Sequence, residues 1–315
     1  MTRKTAFFLF KLVFGFGLLL YLMLVIARPR EIVLVLRGIS WPFLFTAFSL
    51  HALGYLIHAK RWKLILDERR AGFSFAQLIN SLLVGTFFNL FLPTRFGGDV
   101  VRVSDTRRID EGLTGSLAVI VYERMSGIVA LLLFALLSSF LKIGFIRQRP
   151  MLYVSLLVSS AGIILLVLAW KKVPRGWLAG RDCRRPWLRK ILGRLDAFHG
   201  IILDFVSHRA LSRKVFLWAV LLQFNVVLHY FLIGQALRLD RIPFLDYFFS
   251  IPIMLFVLSF PISINGVGVR DLFLIALFTN YGYPAQHAVA FSLLDLAFSL
   301  LLGIIGGLIY IFRRK

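Results

Sequence analysis

The chain has 315 residues, of which 59% are hydrophobic and 15% aromatic, with a mean hydropathy of +0.83 and a formal net charge of +22. Its charges gather in a few stretches between long apolar runs, which excludes an ordinary soluble enzyme and predicts an all-α polytopic membrane protein, a single membrane domain over 1–315 with no separate soluble catalytic part. Lys and Arg flank the apolar runs instead of covering a soluble module, so the basic excess points to anionic membrane lipids as partner and not to nucleic acid.

Read in chain order, the first apolar run covers 7–27. At about 20 residues it is long enough to span, and Ala27-Arg28-Pro29 offers no small-x-small cleavage site, so it reads as an uncleaved helix. Further spans are expected at 41–58, 113–141, 151–170, 215–237 and 288–311, which makes six. The stretches 75–92 and 245–280 are also apolar, but each runs into a Pro and Gly cluster with charges, which a lipid-facing helix does not tolerate.

Charge bias places these two stretches. Twelve Lys or Arg lie in 171–214 against Asp182, Asp196 and Asp204, so this loop is expected in the cytoplasm. If 75–92 enters from the cytoplasm and returns, 59–74, 93–112 and 171–214 all lie inside together with the basic N-terminus. The same count puts 238–246 outside and makes 245–280 a hairpin entering from the outer face, with both termini cytoplasmic in a cell (inner) membrane. Within the basic loop, Pro186 opens an amphipathic helix carrying Trp187, Leu188, Ile191, Leu192, Leu195, Phe198, Ile202 and Phe205 at helical spacing, with Arg189, Lys190 and Arg194 between them. That pattern predicts an interfacial helix on an anionic leaflet.

The two interruptions resemble each other. Both end an apolar run with Pro, then Gly, then charge: Pro93, Gly97, Gly98, Asp99 and Arg102 in the first, and Pro261, Asn265, Gly266, Gly268, Arg270 and Asp271 in the second. Pro93 and Pro261 lie 168 positions apart, and so do Arg102 and Arg270. Each motif is followed within a span by an acid, Glu123 (next to Arg124) and Asp295. Residues 1–141 and 215–315 therefore read as two structural repeats of inverted orientation, each with a re-entrant element, the pattern that places a transporter's polar site at the bilayer midplane. Proline frees carbonyls and glycine admits positive φ, so backbone N–H groups at these turns are candidate phosphate donors beside the arginines.

Taken in order, Arg61-Trp62, Pro93-x-x-x-Gly97-Gly98-Asp99-x-x-Arg102, Glu123-Arg124 and Gly266-x-Gly268-x-Arg270-Asp271 resemble the lysylphosphatidylglycerol synthase transmembrane (flippase-like) family over almost the whole chain. The resemblance implies a lipid-translocating domain like the membrane half of the multiple peptide resistance factors. No soluble aminoacyltransferase segment accompanies it, so translocation is expected and synthesis is not.

Buried charge needs compensation, and Arg102 and Arg270 are the candidate partners of Glu123, while Asp295 needs a cation or a proton. His51 and His58 share one helix face, as do Asn225 and His229, in a pattern that interhelical hydrogen bonds explain. No His-Glu-x-x-His, P-loop or complete dinucleotide fingerprint is present, so neither metal nor cofactor is expected. The sequence thus predicts a non-enzymatic lipid transporter whose headgroup site draws on Asp99, Arg102, Glu123, Arg124, Asn265, Arg270, Asp271 and Asp295. The alternatives are a membrane-embedded lipid-phosphate transferase and a non-translocating accessory subunit. A second copy of the chain or a lipid-biosynthesis enzyme is the protein partner such a role would take.

Overall fold

The computed structural model describes residues 29–91, 97–109, 112–141, 172–177, 186–259 and 268–313. The expected spans at 7–27 and 151–170 lie outside these residues, as do Pro93, Pro261, Asn265 and Gly266. Among the described residues the chain is all-helical: α1 Pro29–Arg37, α2 Trp41–Glu68, α3 Phe75–Phe91, α4 Gly97–Asp105, α5 Gly112–Leu141, α6 Pro186–Ser207, α7 Arg209–Ala236, α8 Phe244–Leu258, α9 Val269–Thr279 and α10 Ala285–Phe312.

Local chemistry sets the helix starts. Pro29 and Pro186 occupy first positions, and Pro243 and Pro284 stand extended just before α8 and α10, where a missing N–H costs nothing. At the start of α3 a capping box closes, the Gln77 amide donating to Ser74 Oγ at 3.2 Å and the Ser74 amide to Gln77 Oε1 at 2.9 Å. α2, α5 over Gly112–Leu137, α7 and α10 are long and apolar enough to cross a membrane, matching the expectations at 41–58, 113–141, 215–237 and 288–311. The chain is a multi-pass membrane protein. By contrast, α3 has 17 residues and α8 has 15, which at about 1.5 Å per residue gives about 25 and 22 Å, short of the roughly 30 Å hydrocarbon core.

The order long, short, short, long occurs twice, as α2–α5 and α7–α10. α2 and α7 are both 28 residues long and begin 168 positions apart, at Trp41 and Arg209. Arg70 and Arg238, the two non-glycine residues with positive φ among the described residues, stand just past the ends of these helices and are again 168 apart. The spacing first seen in the Pro and Arg motifs therefore extends to helix length and to the backbone turn that ends each helix.

The chain forms two compact units, one within Met1–Ile57, Ile79–Val101 and Leu222–Lys315, the other within His58–Leu78 and Arg102–Leu221. In the first unit α9 packs on α10 and α8, and α10 packs on α1. Small residues bring α10 against α3: a methyl group on Gly306 would collide with the Leu83 carbonyl, and one on Gly303 or Gly307 with Leu90 or Phe87. In the second unit α6 packs on α5. Its C-terminal half buries Ile201, Ile202 and Phe205, with the Phe205 ring 5.1 Å from that of Tyr122. The N-terminal half leaves Trp187, Ile191 and Leu195 on one stripe, 57%, 45% and 48% exposed. The expected amphipathic helix is thus half docked against α5 and half an open apolar stripe among basic residues.

Because the Gly306 contact is to backbone, Gly306→Ala cannot be relieved by a rotamer change. It is expected to cost about 1–3 kcal/mol and lower the unfolding temperature in detergent. Gly193→Ala on α6, with open space around it, should leave that temperature unchanged or raise it slightly.

Candidate functional site

Among the described residues, each unit holds a buried cluster of charge. In the second unit it forms around Glu123, about three turns inside α5 and 1% exposed. Arg61 on α2 donates from Nε and Nη2 to Glu123 Oε1 at 3.3 and 3.2 Å, and His58 Nε2, one turn earlier, reaches the same oxygen at 2.9 Å. Arg102 on α4 donates from Nη2 to the other oxygen, Oε2, with its guanidinium 4.2 Å above the Trp62 ring. Both carboxylate oxygens are therefore charge-paired. Two guanidinium groups and one imidazole thus converge on one carboxylate. Arg61 Nη1 and Trp62 Nε1 are buried donors without a hydrogen-bond partner among the described residues. Buried cation, spare donors and an aromatic wall are what an anionic group requires.

The first unit's cluster forms around Asp295, about three turns inside α10. Arg270 on α9 donates from Nη1 to Asp295 Oδ2 and from Nη2 to the Ser292 carbonyl at 3.1 Å. The Tyr230 hydroxyl donates to Oδ2 at 3.3 Å, and His229 Nε2 lies 3.2 Å from Oδ1. His229 Nδ1 lies 2.9 Å from the Ala47 carbonyl of α2, and the His51 ring is 5.0 Å from the His229 ring. Phe298 closes one side, its ring 5.8 Å from that of His229. His51, His229 and Asp295 offer ligand atoms within 4.8 Å of one another, but Arg270 already holds the carboxylate, so a divalent ion there would leave two uncompensated positive charges in an apolar surround.

The residues expected from sequence therefore divide. Arg102 joins Glu123, whereas Arg270, expected as another partner of Glu123, joins Asp295, the acid that follows it in the chain as Glu123 follows Arg102. Arg124 is exposed, turned away from the buried Glu123 by the 100° step of the helix, and Asp99 is half-buried at the start of α4. Asp271 is fully buried and accepts the Gly268 amide at 2.8 Å, so it caps α9. Gly268 has φ of 82°, a conformation side chains disfavour. Gly97 and Gly98 are buried in the first turn of α4, where the Gly98 amide donates to Asn89 Oδ1 at 2.7 Å. The Gly98 amide is thus satisfied by Asn89 near the end of α3, and the Gly268 amide by Asp271 in the first turn of α9.

Sequence motifs alone missed Arg61 as a partner of Glu123, and His58 and His229 as partners of acids. The signal was available in the repeat spacing, for Arg61 and His229 are themselves 168 positions apart.

The lysylphosphatidylglycerol synthase TM region family matches residues 8–307. The chain belongs to this family. It is similar to a UPF0104 membrane protein of Pyrococcus horikoshii, 23% identical over 331 aligned positions covering 96% of both chains. It is also similar to a UPF0104 membrane protein of Methanothermobacter thermautotrophicus, 26% identical over 290 positions covering 84% of this chain and 81% of the other. No solved structure matches. For this lysylphosphatidylglycerol synthase TM region member, both charge clusters fall within the matched residues.

Pairing predicts how the Glu123 cluster responds to mutation. Glu123→Gln leaves two buried guanidinium groups facing each other and should cost about 3–5 kcal/mol, read as a lower unfolding temperature in detergent. Adding Arg102→Met to Glu123→Gln removes one of the two guanidinium groups, and most of that loss should return.

Proposed function

We propose that the protein is a membrane lipid transporter that handles the phosphate of an anionic lipid headgroup, and that it does so without catalysing a reaction. The observation that carries this reading is the convergence of Arg61, His58 and Arg102 on the buried Glu123, with buried donors on Arg61 and Trp62 left without partners among the described residues. A purely structural ion pair would leave no donor spare, since a buried polar group without a hydrogen-bond partner costs about 1–3 kcal/mol. An anion that binds and leaves gives those donors a use. Arginine presents a planar fork matched to phosphate, and Trp62 lies against the guanidinium of Arg102.

Further support comes from the repeated helix order and from the charge bias that orients 75–92 and 245–280 as re-entrant elements entering from opposite faces of the cell membrane. A lipid moved between leaflets must pass its charged headgroup through hydrocarbon, and in each unit a polar cluster lies about three turns inside a spanning helix. The exposed stripe of Trp187, Ile191 and Leu195 beside Arg189, Lys190 and Arg194 suits attachment of α6 to an anionic leaflet.

The test is reconstitution into liposomes with fluorescent lipids of several headgroups, scored by dithionite quenching, with mass spectrometry of the lipids afterwards. Lipids with an anionic phosphate headgroup should exchange between leaflets, and their mass should not change. Uniform exchange regardless of headgroup, or an altered lipid, would overturn the reading. Arg61→Lys and Arg102→Lys should keep the protein inserted and stable but slow exchange roughly tenfold, equivalent to about 1.4 kcal/mol of lost recognition. Equal rates with Lys would reduce the arginines to structural counter-ions.

Topology is tested separately. In a Cys183→Ser background, Arg107→Cys and Leu195→Cys should be shielded from an impermeant thiol reagent applied outside intact cells, and Tyr283→Cys should react. Labelling at position 107 would make 75–92 a crossing.

A further inference from the structure

A glycine in mid-helix gives up about 1 kcal/mol of helix stability relative to alanine. On α10 close packing offsets that loss, since a methyl group on Gly306 would lie 2.0 Å from the Leu83 carbonyl oxygen. Gly127 of α5, one turn after Glu123, has no such neighbour. A methyl group built there would be 3.5 Å from Arg61 Nη1 and 3.8 Å from Arg61 Nη2, with no other atom of the described residues within 4 Å beyond its own helix backbone and chain neighbours. The missing side chain thus leaves a hollow bounded by the guanidinium of Arg61. Nη1, the nearer atom, is the buried donor that has no acceptor among the described residues.

The repeat spacing identifies what the hollow lacks. Arg61, Trp62, Arg102 and Gly127 stand 168 positions before His229, Tyr230, Arg270 and Asp295. In the second half three of these residues converge on the fourth: His229 Nε2 lies 3.2 Å from Asp295 Oδ1, the Tyr230 hydroxyl donates to Oδ2 at 3.3 Å, and Arg270 Nη1 donates to Oδ2. In the first half Gly127 stands in the place of that carboxylate. The counterparts of His229 and Tyr230 are the two residues left with spare buried donors, Arg61 Nη1 and Trp62 Nε1. Glu123 comes one turn earlier, at the position of Phe291 in the second half, and it engages Arg61 through Nε and Nη2, which leaves Nη1 to the Gly127 side.

We infer that Gly127 keeps open the binding place of a phosphate-type oxyanion, which enters the first cluster where the second carries the carboxylate of Asp295. Carboxylate and phosphate are alternative partners for the same guanidinium fork, and only the one that is not part of the chain can come and go. A tetrahedral phosphate offers several acceptor oxygens, so one group serves both Arg61 Nη1 and the indole N–H of Trp62. The Asp295 cluster has its acid in place and takes no such ligand. Gly127 therefore makes the two halves unequal, one half open to an anion and the other closed by its own side chain. That the phosphate belongs to a lipid headgroup rests on the reading above; free phosphate carries the same oxygens, and the experiment separates the two sources.

The experiment follows the unfolding temperature of the purified full chain in detergent at fixed ionic strength while inorganic phosphate, dihexanoyl phosphatidylglycerol or dihexanoylglycerol is added. The two phosphate-bearing ligands should raise it and dihexanoylglycerol should not. A rise with the phospholipid alone assigns the place to a headgroup, a rise with inorganic phosphate alone assigns it to the free anion, and no rise with either would overturn the inference. Gly127→Ala, whose methyl group meets Arg61 at ordinary contact distance, should unfold no lower than the parent without ligand and bind the phosphate probe roughly tenfold more weakly. Gly127→Asp supplies the carboxylate itself and should abolish the ligand-dependent rise; should it fail to fold, Gly127→Ala decides alone. Gly193→Ala should keep the full response. Undiminished binding in Gly127→Ala sinks the placement at Gly127. Binding that Gly127→Ala weakens, with no lipid exchange by the parent in liposomes, would keep the anion site and remove the transport reading alone, whereas lipid exchange undiminished in Gly127→Ala would do the reverse.

Discussion

The fold depends on one constraint: a carboxylate about three turns inside an apolar helix has to be met by cations delivered from other helices. Glu123 brings Arg61 of α2 and Arg102 of α4 to α5, and Asp295 brings His229 of α7 and Arg270 of α9 to α10. Apolar contacts alone do not supply that specificity, because lipid tails solvate Leu and Phe as well as neighbouring helices do. Close packing then has a second role. Where Gly303, Gly306 and Gly307 let α10 approach α3 to backbone contact, dispersion and geometry hold the helix that carries Asp295.

Much of this was legible in the sequence, for physical reasons that differ from residue to residue. Four spanning helices announced themselves by length and hydropathy, because lipid tolerates nothing else at that depth. Arg102, Glu123, Arg270 and Asp295 stood out because charge in an apolar run is rare. Which cation meets which acid was not legible from motif order: Glu123 attracted both arginines on paper, and the fold gives Arg270 to Asp295. Arg61 and His229 hid because each sits in a helix that also carries other polar residues, with no Pro or Gly break to mark it. Their common spacing of 168, recognised first in Pro93 and Pro261, was the missing guide.

The turn glycines illustrate the opposite outcome. Pro and Gly before a charge suggested free amides waiting for phosphate, yet Gly98 is claimed by Asn89 and Gly268 by Asp271. Asn89 and Asp271 convert what looks like an anion nest into stiff helix starts, and that stiffness aims Arg102 and Arg270, which follow four and two residues later.

The order of residues along the chain also has a consequence for how the protein is made. In each half the partners come first, Arg61 and Arg102 before Glu123, then His229 and Arg270 before Asp295, and the acid arrives only with the last long helix of that half. Until α5 emerges from the ribosome, the guanidinium of Arg61 has no counter-charge from Glu123 and is costly to release into hydrocarbon. α2 and α4 are therefore expected to linger beside the insertion machinery until α5 joins them, and α7 and α9 to wait likewise for α10. A chain cut short before α10 would carry the mark of its own incompleteness, an unpaired Arg270 in the bilayer, for membrane proteases to read.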